Sequence, residues 1–163
     1  MKFSRRAWSS PRAKASAWAA GAALLVAALG GLATEIGPWY LALRQPPWKP
    51  PDLWFGPIWT LIYTLTAAAG VRVWETAQHA AQRRFWLCQL GLNSVLNVLW
   101  SVLFFSLHRP DWAQIEVVFL WLSVLLLYSY GRSRLRSAGW LLLPYLVWAS
   151  FAACLNFAVV RLN

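Results

Sequence analysis

"QPPWKPPDLWFGPIWTLIY", residues 45–63, sets five prolines and three tryptophans at the threshold of an apolar run. Proline fixes φ and removes an N–H donor, so Pro46, Pro47, Pro50 and Pro51 exclude helix and leave extended or turn geometry. From residue 54 the pattern changes, and apolar and aromatic residues dominate as far as Trp74. A stiff aromatic segment therefore opens onto a stretch long enough to cross a bilayer. The number of such stretches sets the fold.

Residues 15–33, 54–74, 85–107, 112–130 and 140–160 each approach the roughly 20 residues that span hydrocarbon. Composition agrees: 60% of the 163 residues are hydrophobic and 12% charged, with a mean hydropathy of +0.47. A soluble domain carries about 25% charged residues. Backbone groups in lipid are satisfied only within helices or closed barrels, and these runs lack the alternation of barrel strands. The expectation is an all-α integral membrane protein, a bundle of five transmembrane helices spanning 15–163 behind a basic tail, 1–14.

Loop charge orients the bundle. Lys2, Arg5, Arg6, Arg12 and Lys14 precede the first run, Arg83 and Arg84 follow the second, and Arg132, Arg134 and Arg136 follow the fourth. All three groups fall on one side. The opposite connections are balanced, Arg44 and Lys49 against Glu35 and Asp52, and Arg109 against Asp111. The positive-inside rule places the N-terminus in the cytoplasm and the C-terminus outside. The net charge of +10 is thus a topology signal with anionic membrane lipid as its partner, not a nucleic-acid footprint. A basic start before an apolar run also describes a cleavable signal peptide, with "GLA" at 31–33 as the cleavage site. The stripe Ala15, Ala19, Ala23, Ala27 and Gly31 instead favours a retained helix that packs closely on a neighbour, within the chain or across a homodimer.

The first loop, residues 34–53, is the longest connection. Its prolines hold Trp39, Tyr40 and Trp48 at little entropic cost, which suits either an interfacial aromatic belt or a lid. Two Pro-Pro pairs favour the lid. The second run then presents Phe55, Trp59 and Tyr63 on one helical face, an aromatic wall. The third presents Gln89, Asn93 and Asn97 on one face, followed by Trp100. Amides within a span face the bundle interior, as interhelical ties or as orientation points of a pocket. In the fifth, Trp148, Ala152 and Leu155 share a face, Asn156 adds a buried amide, and Pro144 is expected to kink or loosen the helix.

Chemistry-bearing clusters are sparse. His79 and His108 lie in connections, and Cys88 and Cys154 sit in apolar runs as small packing residues. Glu116, near the start of the fourth run, is read as an interfacial carboxylate stabilised by the helix dipole. No His, Cys and carboxylate set of metal-site spacing occurs, nor a phosphate loop or serine triad. A cofactor-sized ligand would be held by stacking and shape; no cofactor is required.

"WY" at Trp39 and Tyr40, "PPWKPP" before "FGPIWTLIY", "NVLWSVLFF" at 97–105 and "PYLVWASFAACLNF" at 144–157 occur in an order that resembles the tryptophan-rich sensory proteins, TspO, a family that includes the translocator protein or peripheral-type benzodiazepine receptor. The resemblance covers most of the chain after the first run. It implies a five-helix bundle, usually a homodimer, that binds porphyrins such as protoporphyrin IX or haem, with a bacterial cytoplasmic membrane as the location here. It also implies a pocket in the outer half, closed by the first loop and lined by Trp39, Trp48, Phe55, Trp59, Asn97, Trp100, Trp148, Ala152 and Leu155. Either Gln89 and Asn93 or Asn93 and Asn97 take the family's amide pair, and the "LW" spacing favours the second. Pro47 stands where some members have a second loop tryptophan, and Phe157 stands where the sterol motif has tyrosine ahead of Arg161. Three functions follow: a porphyrin receptor or sensor, a light-dependent porphyrin-degrading enzyme using Trp59 and Trp148, or a transporter of lipophiles.

Overall fold

The computed structural model describes residues 10–163; Lys2, Arg5 and Arg6 of the expected tail lie outside them. Ser10 starts the first helix, α1 (Pro11–Ala33), by accepting a hydrogen bond from the Ala13 N–H at 3.1 Å, with Pro11 in the first helical position. This cap carries the helix back past the expected boundary at 15, so Arg12 and Lys14 are helical rather than part of a tail. A short helix α2 (Pro38–Ala42) and a single 3₁₀ turn (Asp52–Trp54) punctuate the first loop before α3 (Phe55–Thr76). Then come α4 (Ala80–Ser101), a π-helical turn (Val102–Ser106), α5 (Pro110–Arg134) and α6 (Arg136–Leu162). Pro144 lies inside α6, which runs through it unbroken.

Among the described residues four helices are long and apolar enough to cross a membrane: Pro11–Ala33, Ala80–Ser106, Pro110–Arg134 and Arg136–Leu162. α3, at 22 residues, falls outside that set; threonines, Arg72 and Glu75 interrupt it. The long helices close a ring in the order α1, α3, α6, α5, α4 and back to α1. The short connections α3–α4, α4–α5 and α5–α6 make these pairs antiparallel. The outer surface presents Trp18, Leu32, Leu61, Val95, Phe119, Val147 and many similar side chains, a coat that suits lipid and not water. Cys88 and Cys154 belong to that coat, unpaired and exposed, which corrects their reading as packing residues.

The tightest contact is the α5–α6 hairpin, joined by Leu135 alone. A Cβ on Gly139 would stand 2.8 Å from Arg132 Cβ and 3.2 Å from its Cα. Nearby, Trp86 is 1% exposed and donates its indole N–H to the Gly70 carbonyl at 3.2 Å, packing with Ala69, Val73, Leu127, Ala138 and Leu142. Gly139→Ala is therefore expected to force the hairpin apart and lower stability by about 1–3 kcal/mol, measured as earlier thermal unfolding in detergent. An unchanged midpoint would show that the hairpin relaxes freely.

Candidate functional site

The first loop lies across the end of the bundle opposite Pro11, here the distal end. Tyr40 donates its hydroxyl to Asp52 Oδ1 at 2.7 Å, and Lys49 pairs with the same oxygen. Burial pushes the Tyr40 hydroxyl up, and its bond to Asp52 adds to that. Burial works against both charges of the pair, yet the hydrogen bonds among the three groups outweigh it, raising Lys49 and lowering Asp52. The signs set a window. The Asp52 contribution is lost as pH falls through the carboxylate range, and the Lys49 contribution as pH rises through the lysine range. Limited proteolysis of the loop is thus expected to accelerate on acidification and in Asp52→Asn at neutral pH. Equal cleavage rates would refute the staple.

Beneath and beside the loop stand two aromatic groups. Trp39 packs edge-on against Phe104, with ring centroids 5.8 Å apart, and stacks on His108 at 4.3 Å; Tyr40 lies 5.5 Å from Phe105. The π-helical turn places Phe104 and Phe105 there, its extra residue widening the backbone so that both meet the loop. The second group lines the α3–α6 seam. Trp48 meets Phe151 at 5.7 Å, Phe55 meets Trp148 at 5.6 Å, and Trp148 stacks on Phe151 at 5.3 Å. Trp59 stacks on Tyr63 at 5.3 Å and meets Trp148 edge-to-face at 6.5 Å. Trp100 packs with both groups and stacks on Phe104 at 5.2 Å. Ala152 and Leu155 continue along α6 at half-buried positions.

The amides have a different role from the rings. Tyr63 donates to Asn97 Oδ1 at 2.6 Å, and Asn97 Nδ2 donates to the Tyr145 hydroxyl at 3.2 Å. Tyr145 donates to Asn93 Oδ1 at 3.1 Å, and Asn93 Nδ2 donates to Ser123 Oγ at 2.8 Å. Ser123 ends the chain on its own helix, at the Leu120 carbonyl, 2.7 Å away. One relay ties α3, α4, α5 and α6. Gln89 is not in it, and its Oε1 is buried with no hydrogen-bond partner among the described residues. Asn156 bonds Gln114 and the Pro110 carbonyl.

Other buried polar atoms are unsatisfied. The indole N–H groups of Trp100 and Trp148, Gln45 Nε2 and both Glu116 carboxylate oxygens have no hydrogen-bond partner among the described residues. Glu116 is 6% exposed, so the interfacial reading of this acid is corrected: its side of α5 turns into the bundle. Phe104, Phe105, Tyr145 and Phe151 are aromatic members absent from the expected set. For three of them spacing was the available signal, Phe104 four residues after Trp100, and Tyr145 and Phe151 three either side of Trp148.

The cavity is elsewhere. A space of about 800 Å³ opens between α1, α3 and α4 at the proximal end, and of the expected site residues only Tyr63, Asn93 and Asn97 border it. Trp39, Tyr40, Trp48, Phe55, Trp59, Trp100, Trp148, Ala152 and Leu155 do not. Among the described residues no group of three or more His, Cys, Asp or Glu side chains has metal-site geometry.

A model of the TspO/MBR family matches residues 19–162. The tryptophan-rich protein TspO of Archaeoglobus fulgidus is 38% identical over 80% of this chain and 84% of its own. A tryptophan-rich sensory protein of Cereibacter sphaeroides is 35% identical over 77% of each chain. The translocator protein of Sus scrofa is 32% identical over 77% of this chain and 75% of its own. The motifs, the apolar helices and these similarities agree: the chain belongs to the TspO/MBR family and is an integral, multi-pass membrane protein.

Proposed function

We propose that this protein is a receptor or sensor that binds a porphyrin against the aromatic rings beneath the first loop. The observation that carries the reading is the run of contacting rings Trp48, Phe151, Trp148, Phe55 and Trp59 at the α3–α6 seam, with the Trp148 indole N–H left unpartnered. A tetrapyrrole is flat and apolar across its macrocycle, so offset stacking on half-exposed indoles suits it, and its carboxylates find Arg44 or Lys49 at the loop. The name of the Cereibacter relative, a sensory protein, supports a receptor over an enzyme. Cells supplied with a porphyrin precursor are expected to yield protein that carries a porphyrin absorption band after purification. Colourless protein would contradict the reading.

The topology proposed with it has five spans, an N-terminus in the cytoplasm and a bacterial cytoplasmic membrane as the site. α3 is the span at issue. It sits in the ring between α1 and α6, and Thr60, Thr64 and Thr76 donate their hydroxyls to carbonyls of their own helix, which lowers the cost of placing them in lipid. The edge-to-face contact of Trp59 with Trp148 also favours a second reading, light-dependent photo-oxidation of the porphyrin in which these two rings take part. Illumination of the complex should then bleach the porphyrin band in wild type and not in Trp59→Phe; bleaching at equal rates in both would remove that reading.

A further inference from the structure

α1 packs on α3 and α4 yet buries little of its own surface. Gly30 is its single buried residue, and a Cβ there would lie 4.0 Å from both Tyr63 Oη and Ser101 Oγ. From Val26 back to Pro11 its inward side borders the 800 Å³ cavity instead. The wall is low because Ala15, Ala19, Ala22 and Ala23 are short, and Ala67 and Gly70 of α3 face them across the space. Three members of the small-residue stripe, Ala15, Ala19 and Ala23, thus border the space, while Ala27 and Gly31 turn outward.

From Lys14 to Val26 the helix climbs about 18 Å. Half of a hydrocarbon core about 30 Å thick is roughly 15 Å, so the cavity is about one leaflet deep. Its mouth is basic. Lys14 lines it, and a neighbouring shallower space of about 520 Å³ shares Trp74 and Leu87 with it and is bordered by Arg83 and Arg84. No ion pair with a described acid engages these three cations; Glu75, the nearest acid in sequence to this end of α3, pairs with Arg12 at 3.3 Å. Arg83 lies over the Trp74 ring at 5.2 Å, at the boundary of the two spaces.

We propose that this cavity is a site for an anionic phospholipid of the adjoining leaflet: one acyl chain fills the space between α1, α3 and α4, and the phosphate meets Lys14, Arg83 and Arg84. The bore is apolar and walled by alanine, which admits a flexible chain, and cations stand only where a headgroup would lie. Basic pockets between helices at the cytoplasmic face are suited to such headgroups. Tyr63 borders this space and stacks on Trp59, but none of the rings Trp48, Phe55, Trp59, Trp148 and Phe151 lines it, so porphyrin binding and lipid retention are separate readouts.

Native mass spectrometry of the full chain, exchanged into phosphatidylglycerol or phosphatidylcholine of identical chains, tests it. One phosphatidylglycerol per chain is expected to be retained, preferred over phosphatidylcholine by at least roughly tenfold. The triple substitution Lys14→Gln, Arg83→Gln, Arg84→Gln should abolish the preference. Ala23→Phe should expel lipid of either kind while helicity and protoporphyrin quenching stay at wild-type levels. Equal retention of the two lipids by wild type, unchanged retention in Ala23→Phe, or displacement of the lipid by protoporphyrin would each overturn the proposal. Should Ala23→Phe fail to fold, Ala19→Leu supplies the same reading with a smaller side chain.

Discussion

Trp148→Ala is expected to weaken protoporphyrin binding by roughly ten- to a hundredfold, the largest loss of any single ring. Trp148 contacts Phe55, Trp59 and Phe151, so its removal deletes one stacking surface and loosens three others. A stacked aromatic partner contributes about 1–3 kcal/mol, and each 1.4 kcal/mol is tenfold in affinity. The proper control is Trp140→Ala, on the same helix but 57% exposed on the outer coat. Titration monitored by the porphyrin absorption band should separate the two variants clearly. Equal affinities for both would remove the seam from the site.

The second large effect belongs to the relay. Asn97→Leu should cost about 1–3 kcal/mol, because it strands the Tyr63 hydroxyl and removes one of the two partners of Tyr145. Tyr145 is buried and has only the two amides as partners. Hydrogen bonds between membrane helices are often worth less than this, since the unfolded chain in lipid finds partners too. The cross-tie joins four helices, however, and a network loses more than one pair when a central member goes. Thermal unfolding in detergent measures it. A double-mutant cycle with Tyr63→Phe should show coupling between the positions, and strict additivity would mean that the relay does not act as a unit.

Much of the architecture was legible before any coordinates. Runs of apolar residues can satisfy their backbones in lipid only as helices, and the helices α1, α3, α4, α5 and α6 fall on the five expected stretches. The four-residue spacing of Asn93 and Asn97 placed both on one inward face; which partners they choose depends on α5 and α6, and so on tertiary packing. The closed shape of the ring could not be read from one strand of text. Nor could the position of the void, since a small-residue stripe is compatible with close packing or with a gap. Glu116 shows the same limit. Proximity to a helix start suggested an interface, whereas rotation about the helix axis decides burial, and that is set by neighbours. The π-helical turn has no sequence signature of its own, so the meeting of Phe104 with Trp39 and of Phe105 with Tyr40 could not be read from spacing.

Tryptophan-fluorescence titration of the wild-type protein in lipid nanodiscs with protoporphyrin IX addresses the seam most directly. Saturable quenching at one porphyrin per chain, with a dissociation constant on the order of micromolar or tighter, is the predicted result. Quenching that rises linearly without saturation, and equally in Trp148→Ala, would mean that the rings under the loop are packing alone and bind no tetrapyrrole.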